Sequence, residues 1–156
     1  MNLDLLSSKN DAFRFALFST IIAFIIGVIT YTIPMATEHI YFFISAPIAT
    51  FLPCYLLWEI AVKRKNDYKI SNVILISFGL TIITHYLNFV ILGLGRLICY
   101  SLTGYCADYN GEVEGIIETL TYTSILRALI SLFYWGILTL ILFIVTGIYI
   151  IKTSKK

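Results

Sequence analysis

Four long apolar runs constrain this chain more than any other feature: about Phe13 to Ile33, Ile40 to Ala61, Ile70 to Leu94 and Ala128 to Ile151. Each meets the roughly 20 apolar residues that a helix needs to cross bilayer hydrocarbon. The runs are continuous rather than alternating, and a chain in lipid must satisfy its backbone internally, so helices are expected rather than strands. The expected fold is an all-α integral membrane protein, a four-transmembrane-helix bundle making one membrane domain over residues 1–156. Composition agrees. Hydrophobic residues make up 59% and charged residues 13%, and the mean hydropathy is +0.89. An aqueous domain of this size could not hide so much apolar surface. The first run is uncharged from Phe15 to Thr37, longer than a secretory signal core, and it reads as retained.

Lys and Arg set the expected orientation. Lys9 and Arg14 precede or open the first helix, Lys63, Arg64, Lys65 and Lys69 lie between the second and third, and Lys152, Lys155 and Lys156 end the chain. Those nine fall on one side, against only Arg96 and Arg127 on the other. Both termini are therefore expected in the cytoplasm, and the protein in the bacterial cytoplasmic (inner) membrane. The outer side is acidic, with Glu38, Asp108, Glu112, Glu114 and Glu118.

Two connections are short, the turn at Pro34 to His39 and the loop at Lys63 to Lys69. The second outer loop, about 95–125, is long, and a long loop in a small protein is usually functional or disordered. Within it Val113, Ile116, Ile117 and Leu120 keep helical spacing, so either a short amphipathic helix on the outer surface or an extension of helix four is expected.

Helix three carries the sharpest chemical pattern. Ser77, Thr81, Thr84, His85 and Asn88 stand at offsets 0, 4, 7, 8 and 11, on one face, with Arg96 further along it. One reading is interhelical hydrogen bonding; the other is a lined path or a binding face. His85 stands out because imidazole changes charge near neutral pH. No second His lies at ligand spacing, so no metal is expected, and nothing calls for a cofactor.

Glu59 is expected to pair with Lys63 one helical turn away. Arg96 and Arg127 flank the outer loop, where they can snorkel and pair with Glu112, Glu114 or Glu118, or join Asp108 in a charged docking surface. Cys99 and Cys106 can form a disulfide in an oxidising compartment; Cys54, inside helix two, reads as a packed small side chain. Small residues Ala16, Thr20, Ala23 and Gly27 line one face of helix one, and Gly136, Thr139, Thr146 and Gly147 lie on helix four, as close packing in lipid requires. Pro47 and Pro53 should kink helix two.

Nucleophile elbows, HExxH, phosphate-binding glycine loops and paired intramembrane carboxylates are all missing from the sequence. With a net charge of +2 and no basic stripe, nucleic acid is not an expected partner. The expected function is non-enzymatic: a small polytopic protein, in contact with membrane lipids, that binds a protein partner at or within the membrane. In length, helix count and orientation the chain is similar to immunity proteins of the colicin-A type, which implies protection against a pore-forming bacterial toxin. The alternatives are a small homo-oligomeric transporter, channel or lipid carrier using the polar face of helix three, and an accessory subunit of a larger membrane complex.

Overall fold

The computed structural model describes residues 10–32, 42–63, 65–66, 68–104 and 115–154. All regular structure among them is helical, and four helices are long and apolar enough to cross a membrane. Helix α1 spans Asp11–Thr32 and α2 spans Phe42–Trp58, running on through a π turn at Glu59–Lys63. Helix α3 spans Ile70–Thr103. The fourth, α4, runs from Ile116 to Ser154 with a π turn at Thr119–Thr123.

Neighbours in sequence are neighbours in space. α1 packs along α2, α2 on α3 and α3 on α4, and α4 closes the ring on α1 by a smaller contact. This up-down-up-down order follows from the short connections. It brings the start of α1, the end of α2, the start of α3 and the end of α4 to one end of the bundle. Arg14, Lys63 and Lys152 mark that end, called here the basic end.

The outward faces are compatible with lipid as the solvent. Leu75, Phe133 and Ile137 are 71%, 82% and 73% exposed. Apolar surface this open and continuous is foreign to a water-soluble monomer.

Inside, the bundle is stratified. At the basic end Phe15, Trp58, Val62, Val73, Leu80 and Ile150 form a dry cluster, in which the Phe15 and Trp58 rings stack at 4.3 Å. Gly147 makes room for them: a β-carbon there would lie 2.5 Å from Val73 Cγ1 and 3.2 Å from the Trp58 ring. Toward the other end Phe42, Phe89 and Ala128 form a smaller cluster, with Phe42 edge-on to Phe89. Here α1 and α2 cross closely, since a β-carbon on Gly27 would stand 2.6 Å from the Phe43 Cα. That contact between small-residue surface and backbone is how helices associate in lipid.

Two boundaries differ from the sequence expectation. Helix α3 does not stop at Leu94 but continues to Thr103, where Gly104 takes a left-handed conformation (φ 74°) and its N–H bonds the Tyr100 carbonyl at 2.8 Å. Helix α4 begins at Ile116 rather than Ala128. The expected loop of 95–125 therefore shrinks, because α3 runs on past Arg96 and α4 begins before Arg127. Ile116, Ile117 and Leu120 belong to the first turns of α4, not to a separate surface helix. Val113 lies outside the described residues.

Phe42, the first described residue of α2, is level with Phe89, so the fourteen residues from Val90 to Thr103 run on beyond that level. At 1.5 Å per residue that stretch is about 20 Å. Helices α3 and α4 thus run on together there, as a stem.

Candidate functional site

Between the two apolar clusters lies a polar layer built mainly by α3. Ser77, Thr81, Thr84, His85 and Asn88 are all buried, so their shared face looks into the bundle. Their bonding divides them. Thr81 donates to the Ser77 carbonyl and Thr84 to the Leu80 carbonyl, both at 2.8 Å, which keeps them within their own helix. The Ser77 hydroxyl has no partner among the described residues.

His85 and Asn88 instead reach across. His85 Nδ1 lies 2.8 Å from Ser131 Oγ and Nε2 lies 3.1 Å from Thr139 Oγ1, both on α4. The tautomer can be assigned from this network. Thr139 gives its own proton to the Trp135 or Gly136 carbonyl, so its oxygen accepts from His85 Nε2–H. Nδ1 then accepts from the Ser131 hydroxyl. Asn88 Oδ1 accepts from Ser45 Oγ of α2 at 2.6 Å. One helix is thereby tied to both neighbours by neutral groups. Ser45, Ser131 and Thr139 were not recognised from sequence as partners of the stripe. The eight-residue spacing of Ser131 and Thr139 on α4 was the available signal.

Beside this layer is a cavity of about 60 Å³, lined by all four helices. Its polar wall includes Thr84, His85, Asn88, Ser131 and Thr139; its apolar wall includes Ile22, Ile26, Leu142 and Phe143.

The basic end holds a second polar cluster. Asp11 is buried to 4% exposure, 3.8 Å from Arg14 Nη1, and Arg14 Nη2 donates to Thr153 Oγ1 at 3.0 Å. The Tyr68 hydroxyl donates to Asp11 Oδ2 at 3.4 Å. Burial first, and then the Asp11 carboxylate, raises the Tyr68 pKa above its ordinary 10.0. Glu59 pairs with Lys63 at 3.0 Å, and Asn72 Nδ2 donates to the Ala61 carbonyl within the π turn at 2.9 Å. Asp11 was missed in the sequence, because a lone acid before an apolar run reads as a helix-start charge.

The stem carries the remaining candidates. Arg96 and Arg127 are half-buried on α3 and α4, and Glu118 is exposed in the first turn of α4. Cys99 is disulfide-bonded, whereas Cys54 is a free buried thiol. Asp108, Glu112, Glu114 and Cys106 lie outside the described residues. Tyr86 of α3 donates to the Leu120 carbonyl at 2.6 Å, and Thr119 presses its methyl group against Gly93. These contacts fix the two stem helices where the π turn interrupts α4. On the open faces Ile98, Leu102, Ile116, Ile117 and Tyr122 are between 61% and 79% exposed.

Among the described residues no group of His, Cys, Asp and Glu could hold a metal ion. The chemistry on offer is neutral hydrogen bonding inside the bundle and an apolar, tyrosine-bearing stem outside it. Compared with known protein families, proteins of established function and solved structures, the chain matches none.

Proposed function

We propose that this is a non-enzymatic protein of the bacterial inner membrane, with both termini cytoplasmic, that binds a protein partner through the α3–α4 stem. The observation that carries the reading is the stem itself. It continues about 20 Å beyond the level of Phe42 while keeping Leu102 and Ile117 each 79% exposed. Past the hydrocarbon such side chains gain from burial against a partner. Immunity against a pore-forming toxin is the specific form proposed, since such a partner would be met at the outer membrane surface.

The test is protection. Expressing the protein should shield cells from one cognate pore-former, and Leu102→Glu with Ile117→Glu should abolish that shield while the purified variant keeps its helicity and unfolding midpoint. A shield that survives both charges sinks the stem reading. Neutralising Glu112, Glu114 and Glu118 separately tests the acidic-loop version.

A second reading, a small transporter, channel or lipid carrier, is favoured by the cavity beside His85. Against a conducting path stands the bonding of His85 to Ser131 and Thr139 and of Asn88 to Ser45, which ties polar groups to helices instead of presenting them to a pore. Flux in liposomes that is lost in His85→Ala and Asn88→Ala would restore it.

A further inference from the structure

The cavity beside His85 lies where α1 and α4 diverge. Their named side-chain contacts, Arg14 with Thr153 and Phe18 with Tyr149, are at the basic end. Nearer the other end Ile22, Ala23 and Ile26 of α1 face Trp135, Thr139 and Leu142 of α4 across the cavity, all six half-exposed. The cavity is thus a cleft open between two helices whose outer faces suit lipid.

Its floor has an unmet hydrogen-bonding group. Asn88 uses one end of its amide on Ser45, and the other end bonds no described residue although Asn88 is only 7% exposed. That amide lines the cleft. An amide end left unpaired in an apolar environment is costly, so a ligand that satisfies it is favoured.

We propose that the cleft binds a neutral lipid, whose hydroxyl or ester group bonds the free end of the Asn88 amide while its hydrocarbon chain runs down the α1–α4 seam past Ile26, Ile22 and Leu142. Three observations support that class. First, no lining residue is charged, so a phosphate would enter uncompensated, whereas a hydroxyl or ester needs only hydrogen bonds. Second, the 60 Å³ of space takes roughly four to six water-sized groups, enough for a glycerol-like head. Third, depth fits. Asn88 lies six residues, about 9 Å of helix, inside the outer end of the apolar run at Leu94, a depth where a neutral head group is tolerated and a charged one is costly. The site is separate from the stem and does not depend on the partner proposed there.

The full chain in phosphatidylcholine nanodiscs, doped with a diacylglycerol bearing a diazirine near the start of one acyl chain, tests this. After irradiation, peptide mass spectrometry should find label concentrated at Ile22, Ala23, Ile26 and Leu142, above the lipid-facing Ile25 and Ile141. Ala23→Trp, which fills the cleft from a half-exposed position, should remove the excess, and Asn88→Leu should lower it about fivefold, as loss of one net hydrogen bond implies. Ile25→Trp should leave it unchanged. Label spread evenly over Ile25 and Ile141, or an excess indifferent to Ala23→Trp, overturns the proposal. Displacement by free glycerol would assign the cleft to a soluble solute and overturn it equally. If Asn88→Leu fails to fold, Ala23→Trp still decides.

Discussion

The two halves of the bundle solve the same packing problem differently. At the basic end helices meet through ring stacking and side chains seated on a glycine, with Trp58, Phe15 and Val73 fully buried around Gly147. In the other half they meet through His85, Asn88, Ser45 and Ser131, and a cavity remains between them. The first arrangement is dense and insensitive to ligands. The second leaves an amide end open and a cavity between α1 and α4. In lipid, where apolar burial between helices gains little over burial in acyl chains, density and hydrogen bonds are what remain. Stability is therefore expected to concentrate at the basic end, and binding in the other half and in the stem.

Trp58→Ala is the strongest way to break that contrast. Removing the ring leaves a void against Phe15 and Gly147, and aromatic-to-alanine changes in cores cost about 3–5 kcal/mol. Unfolding from mild detergent into denaturing detergent should show a loss of that size. Gly147→Ala probes the same contact from the other side. Its β-carbon would sit 2.5 Å from Val73 Cγ1, and overpacking of this kind costs roughly 1–3 kcal/mol. A neutral Gly147→Ala would mean that the basic end is looser than its geometry states.

His85→Leu sharpens the contrast from the other half. It removes two interhelical bonds, which in membranes average about 0.6 kcal/mol each, so a loss near 1 kcal/mol is expected in the same assay. A loss matching that of Trp58→Ala would erase the distinction between the halves and make the polar layer the main scaffold.

How much of this was legible in the sequence depends on what each feature answers to. The runs answer to lipid alone, and hydropathy found four helices without help. The offsets of Ser77, Thr81, Thr84, His85 and Asn88 placed them on one face. Which way that face looks depends on Ser45, Ser131 and Thr139, hydroxyls on other helices whose register a single run does not carry. Helix ends misled for a related reason. Arg96 ends the uncharged run, whereas Gly104 ends α3 through its left-handed backbone. The expected pairing of Glu59 with Lys63 was readable because it is local. The burial of Asp11 was not, because it depends on Tyr68 and on the return of α4 beside Arg14.

The π turns show the same limit and supply the smallest test. A π turn leaves carbonyls unbonded within its helix, and each turn here has one taken by another segment: Ala61 by Asn72 and Leu120 by Tyr86. Tyr86→Phe removes only the second bond and keeps the ring. The expected loss of global stability is about 0.6 kcal/mol, smaller than for His85→Leu. Its local consequence should be larger than its global one, because the Leu120 carbonyl lies where the stem joins the bundle. Hydrogen exchange should rise for amides in the first two turns of α4 and stay unchanged around Gly147. If exchange rises at both ends alike, the two halves are coupled, and the stem cannot be treated as a unit that moves or binds independently of the dense end.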